Sequence, residues 1–213
     1  MSTTVAIPVV TTVTNESDQP QTYEKCRDAV LKHYTNIEHV LYPCKTSNTT
    51  LNKDQYYELC VLAIDQNVTA FALVKQQTYD ICRYAVKKDG HAIAYVKLQT
   101  PELCLEAVTK SGLALRNCDF QSPEICLAAV KQTGIALGYV MKEFMTFEIC
   151  LTATQNYGRA LYDIPQNIMT NFNQEQITKL HMEAVQVDGY ALQYVNPKTP
   201  EICIEALKKD IRA

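Results

Sequence analysis

No run of eighteen apolar residues occurs in this chain, so no transmembrane helix is indicated and a membrane is not an expected partner. A basic excess is missing too, since 20 lysines and arginines stand against 23 aspartates and glutamates. Neutralising phosphates takes positive charge, so a net charge of −3 disfavours the simplest nucleic-acid or anionic-membrane surface. The stretch Met1 to Pro20 has neither a basic region nor a compact apolar segment, which argues against a secretory signal. The close C-x-x-C pairs that usually seed a zinc site do not occur. Neither do the glycine-rich dinucleotide fingerprint, the Walker loop, H-E-x-x-H or G-x-S-x-G, so nucleotide binding, zinc proteolysis and serine hydrolysis lack a motif. No catalytic residue, cofactor or metal is expected, and the chain reads as a non-enzyme.

What the chain does have is a phrase that returns eight times, a cysteine or its stand-in followed three residues later by alanine. It is plainest in Thr100-Pro101-Glu102-Leu103-Cys104-Leu105-Glu106-Ala107-Val108, in Ser122 to Val130, and in Thr199 to Leu207. Looser copies surround Cys26, Cys60, Cys82 and Cys150, and one has His181 in the cysteine's place. From Cys82 to Cys104 to Cys126 the interval is 22 residues. A fixed period of about 20–50 residues marks a stacked repeat protein, whose units bury their apolar faces against their neighbours. The content of 47% apolar and 20% charged residues suits such a core.

Within one copy the apolar residues Leu103, Cys104, Ala107 and Val108 recur at helical spacing. Thr100 is placed to cap that helix, Pro101 to occupy its first turn, and Glu102 and Lys110 to complement its dipole. Gly112 falls where a left-handed C-cap would lie, as do Gly90, Gly134, Gly158 and Gly189 in their copies. A second, shorter helix or 3₁₀ segment follows, marked by Ala114-Leu115 and its equivalents. The alanine three residues after each cysteine marks a close approach of backbones. The fold class expected is therefore all-α, an α-solenoid of about eight short helix-turn-helix repeats. Leucine-rich repeats share a similar period, but their strand-forming L-x-L and asparagine ladder are missing, and they rank behind. Residues 1–21 read as a mobile N-terminal segment and 22–213 as one repeat domain, with polar insertions near 42–53 and 165–173.

Nine cysteines, mostly at one repeat position, do not suggest a disulfide framework. Packed helices lie roughly 8–10 Å apart, whereas a disulfide needs Cα atoms within about 7 Å. The ladder thiols read as small buried hydrophobes of a reducing, intracellular and cytoplasmic compartment. Cys44, in the first insertion, belongs to no ladder and is expected to be exposed and oxidisable. His181 reads as a buried histidine satisfied by a backbone carbonyl or water, beside an insertion that could make room for its ring.

The phrase Thr/Ser-Pro-Glu-Leu/Ile-Cys-Leu-x-Ala-Val, followed by Gly-x-Ala-Leu-x-Tyr-Val, resembles the repeat of domain of unknown function 4116. The likeness runs from about Tyr23 to Leu207 and is sharpest around Cys82, Cys104 and Cys126. It implies an all-helical repeat from a giant virus of amoebae or an amoeba-associated bacterium, and so a place in the host cytoplasm or the virion. It carries no catalytic residues. The function expected is a scaffold for protein–protein interaction, with a candidate surface of Tyr42, Cys44, Lys45, Asn48, Lys87, Lys88, Lys110, Lys131, Asn167 and Asn171. The alternative is RNA or DNA held by a ridge of these lysines with Tyr95, Tyr139 and Tyr194. A second copy of the chain stands as a further candidate partner.

Overall fold

A computed structural model describes residues 20–44 and 47–210; the segment 1–19, which holds most of the expected mobile terminus, and Lys45 lie outside the described residues. The protein is an all-α repeat fold of the solenoid type. Its helices are α1 (Tyr23–Lys32), α2 (Lys53–Gln66), α3 (Tyr79–Lys88), α4 (Pro101–Lys110), α5 (Pro123–Gln132), α6 (Phe147–Asn156), α7 (Gln166–Met169), α8 (Gln174–Val187) and α9 (Pro200–Lys209). Every one except α7 opens a repeat. Among the described residues, all the repeat helices but α9 lead into a six-residue 3₁₀ segment, such as Gly90–Tyr95 after α3 and Gly112–Asn117 after α4. The contacts divide the chain into two compact units, Met1–Gln76 and Gln77–Ala213.

The caps expected of the repeat phrase form. The hydroxyls of Thr100 and Ser122 accept the N–H of Leu103 and Ile125 at 3.3 and 3.2 Å, with Pro101 and Pro123 at the first helical positions. The Glu102 carboxyl is held below its ordinary value, first by its own backbone N–H and then by the Thr100 hydroxyl. In α2 and α8, where the phrase is lost, reciprocal capping boxes replace it, Asn52 with Gln55 and Asn173 with Gln176.

The glycines correct one expectation. Among the described residues none has a positive φ, and each repeat-opening helix ends instead on an extended residue, Ser111 in α4 at φ −148°. Its N–H donates to the Ala107 carbonyl at 2.8 Å and closes the last turn. Gly112 comes next and begins the 3₁₀ segment. A Cβ there would lie 2.5 Å from the Ala129 carbonyl oxygen of the following repeat and 2.8 Å from Thr133 Cγ2. Gly90, Gly134 and Gly158 meet the carbonyls of Ala107, Ala153 and Ala184 in the same way. The glycine is needed because a neighbouring backbone occupies the space of its side chain, not because the chain turns left-handed. This is the counterpart of the alanine ladder: Ala107, Ala129, Ala153 and Ala184 are fully buried, and their carbonyls receive the preceding repeat's glycine.

In the second unit α3, α4, α5, α6, α8 and α9 pack successively, and the 3₁₀ segments stack beside them as a second layer. The core between the layers repeats in register, for example Leu103, Cys104, Val108, Ala114 and Leu115. Burying such a side chain contributes about 1.5–3 kcal/mol. The first unit packs α1 on α2 around Val30, Ile37, Leu59, Cys60 and Phe71. Gln21, read from sequence as the end of the mobile segment, is instead tied down: it forms an isolated parallel bridge with Thr49.

Candidate functional site

A residue type passed over in the repeat phrase organises one edge of the stack. Gln21, Gln77, Gln99 and Gln121 each stand five residues before a ladder cysteine. Gln77 donates from Nε2 to the Tyr95 carbonyl at 2.9 Å and accepts the Lys97 N–H on Oε1 at 2.9 Å. Gln99 does the same with Asn117 and Asp119 at 2.8 and 2.9 Å, and Gln121 with Tyr139 and Met141 at 2.9 Å each. In the first unit Gln21 clasps His39 and Leu41. A primary amide offers a donor and an acceptor side by side, which matches the alternating C=O and N–H of an extended linker. The start of each such repeat is thereby held against its end, and the 3₁₀ segment must run back alongside its helix.

The ladder thiols join this clamp. Cys104 Sγ donates to Gln99 Oε1 at 3.3 Å and Cys126 Sγ to Gln121 Oε1 at 3.4 Å. Burial pushes Cys82 and Cys126 up to about 11 and Cys150 to about 12; such thiols stay protonated and are poor nucleophiles. Cys104 differs, because a hydrogen bond with the Cys118 thiol draws it down, while that same bond and then burial push Cys118 up. Cys104 is fully buried nonetheless. Cys203, in the last helix, is only half-buried, and Cys44 is exposed as expected.

The clamped edge of the second unit carries large apolar side chains in water. Leu98 is 86% exposed, and Tyr95, Phe120, Tyr139 and Met141 are 42–44% exposed. The candidate lysines lie elsewhere. Lys87, Lys88, Lys110 and Lys131 are exposed in the last turns of α3, α4 and α5. A ten-residue helix is about 15 Å long, so these cations sit at the edge opposite Tyr95 and Tyr139 and do not interleave with them.

The first insertion is partly anchored, with the Thr50 N–H donating to Gln21 O at 2.9 Å and Tyr42 edge-on to Tyr56 at 5.1 Å. Cys44 and Asn48 remain on its surface. The second insertion folds as α7, with Asn167 and Asn171 exposed and Phe172 packed edge-on to Phe147 at 5.7 Å. Beneath α7 lies a cavity of about 270 Å³. Leu161, Ile164, Met169 and Ile177 form apolar wall; Gln166, Thr170 and Asn196 add polar groups. The rings of Tyr162 and Tyr194, 5.2 Å apart, also line it. His181 reaches it from α8 and is 4% exposed. Among the described residues no protein group hydrogen-bonds its ring, contrary to the backbone carbonyl considered from sequence. Burial lowers its basicity, so the imidazole is held neutral.

Residues 100–145 match the family model described as Domain of unknown function (DUF4116). This segment is similar to the DUF4116 repeat. No curated protein and no solved structure matches the chain. The matched segment holds α4, α5 and their two 3₁₀ segments, where the thiol, glycine and alanine positions of both repeats are filled; Gln121 lies within it and Gln99 just before it. The cavity lies outside it, where histidine replaces the repeat's cysteine and α7 is inserted. The sequence marked both departures, yet that they enclose a shared space required the fold. Among the described residues no three histidine, cysteine or acidic side chains gather to hold a metal ion, and no helix is long and apolar enough to cross a membrane.

Proposed function

We propose that this chain is a non-enzymatic repeat scaffold that binds another protein through the clamped edge of its second unit. The observation that carries the reading is the row of exposed apolar side chains on that edge, above all Leu98 and Phe120, which occupy equivalent places in successive repeats. The glutamine clamps fix the backbone beneath them, so little conformational entropy is lost when a partner covers them. Large apolar groups held rigidly in water are what an interface core uses. Asn167 and Asn171, exposed on the insertion within the same unit, would supply polar contacts at the rim of such a surface.

The lysine and tyrosine ridge supports a nucleic-acid reading less well, because its two components lie at opposite edges. The site of action proposed is intracellular, in keeping with the buried, unbridged ladder thiols Cys60, Cys82, Cys104, Cys126 and Cys150. The source implied by the repeat resemblance would place the partner in the cytoplasm of an infected amoeba or in a virion. The test is affinity capture from amoebal lysate with the whole chain and with Leu98→Lys/Phe120→Lys. The reading expects proteins recovered by the parent to be lost at least tenfold in the double variant, and retained by Lys87→Glu/Lys110→Glu. Equal recovery by the parent and the apolar-edge variant would remove the edge as the recognition element.

A further inference from the structure

We propose that the cavity between α7 and α8 is a binding site for an uncharged phenol, with the hydroxyl on His181 and the ring against the apolar wall. Three features of the site lead there, none of which involves the clamped edge, and the proposal does not depend on the scaffold reading.

The first is the histidine. The residue is 4% exposed and its ring has no protein hydrogen-bond partner among the described residues, yet it lines an accessible cavity. The other repeats place a cysteine at this point, so the repeat architecture does not require an imidazole. A neutral imidazole offers one N–H donor and one nitrogen acceptor. A hydroxyl group can both donate and accept, and so it meets whichever nitrogen faces the cavity.

The second is the absence of charge. Among the lining residues there is no aspartate, glutamate, lysine or arginine. A charged ligand would give up its hydration without an ionic partner, which is strongly unfavourable. The third is size and surface. An apolar cavity of about 150 Å³ accepts a benzene ring, and about 270 Å³ is available here, enough for one substituted ring. Leu161, Ile164, Met169 and Ile177 supply the apolar contact, and Tyr162 and Tyr194 present aromatic faces for stacking. A phenol ring has two sources, a free small molecule or the tyrosine side chain of another polypeptide.

The test follows the ring nitrogen resonances of His181 by NMR in the uniformly ¹⁵N-labelled whole chain during titration with p-cresol, toluene, N-acetyltyrosinamide, a tyrosine-containing peptide and cytidine. The expected result is that p-cresol shifts the His181 signals and binds at least tenfold more tightly than toluene. His181→Cys, which restores the residue of the other repeats, should weaken p-cresol binding at least tenfold. Ile177→Trp, which fills the cavity and keeps the imidazole, should do the same, and unchanged circular dichroism and melting temperature identify whichever variant is folded. Binding of the peptide tenfold tighter than p-cresol assigns the phenol to a polypeptide partner, and the reverse order assigns it to a free molecule. Equal binding of toluene and p-cresol, preference for cytidine, or His181 signals that none of the phenols moves would overturn the proposal.

Discussion

A single added methyl group is the sharpest probe of how closely neighbouring repeats of the second unit approach. At Gly112 that methyl would meet a backbone carbonyl at 2.5 Å, and a carbonyl in a closed helical turn cannot swing aside. Gly112→Ala should therefore lower stability by about 1–3 kcal/mol, as overpacking does. At Gly138, inside the 3₁₀ segment Gly134–Tyr139, the nearest atoms are those of the Asp163 carboxyl at 3.5 Å, which is ordinary contact. Gly138→Ala should be neutral or stabilising by up to about 1 kcal/mol, because it mainly restricts the unfolded chain. Denaturant midpoints of the two variants check the contrast, and equal losses would mean that the close approach is not what selects glycine. His181 gives a second prediction at this scale. Its native ring resists protonation through burial, whereas the unfolded ring takes up a proton near the ordinary 6.5. The unfolded state then binds more protons below that pH, so stability falls as pH drops through 6.5. Unfolding curves at pH 7.5 and 5.5 should show a smaller loss for His181→Cys than for the parent.

Among the elements, the helices and their caps were legible because their causes are local: three- and four-residue spacing, a hydroxyl before a proline, an acid in the first turn. The glycines were legible as a ladder but misread in cause. A glycine directly after a helix looks alike whether it turns the chain or admits a neighbour, and only the Ala129 carbonyl beyond Gly112 separates the two. The glutamines carried a weaker signal still, because their partners are backbone groups 18 and 20 residues away, which exist for any sequence. Period alone exposes them, Gln77, Gln99 and Gln121 being spaced by 22 residues. Their contribution can be measured. Gln99→Leu removes the bonds to Asn117 and Asp119 and leaves the linker groups less well satisfied, at a cost of about 1–3 kcal/mol. Gln99→Glu keeps an acceptor for the Asp119 N–H but sets a carboxylate oxygen against the Asn117 carbonyl, so it should cost at least as much above pH 6. A glutamate variant as stable as the parent would show that the clamp is not made in solution.

At the scale of the whole molecule, what the repeat implies is that stability is a sum of neighbouring interfaces rather than the property of one central core. Within the second unit, α4 packs on α5, α5 on α6, and the chain of contacts continues through α8 to α9. A perturbation at one interface then reaches distant repeats only through those between. The interface that Gly112 makes with Ala129 and Thr133 joins the α4 and α5 repeats. Native-state hydrogen exchange of Gly112→Ala should accordingly be fastest to change in α4 and α5. A loss of about 1.4 kcal/mol corresponds to roughly tenfold faster exchange there, while amides of α9, three interfaces further along, should change by less than about twofold. Equal acceleration from α3 to α9 would instead mean that the unit opens as one cooperative body. In that case the clamped edge would gain or lose its order all at once, and a partner bound at Leu98 would stabilise α9 as much as α4.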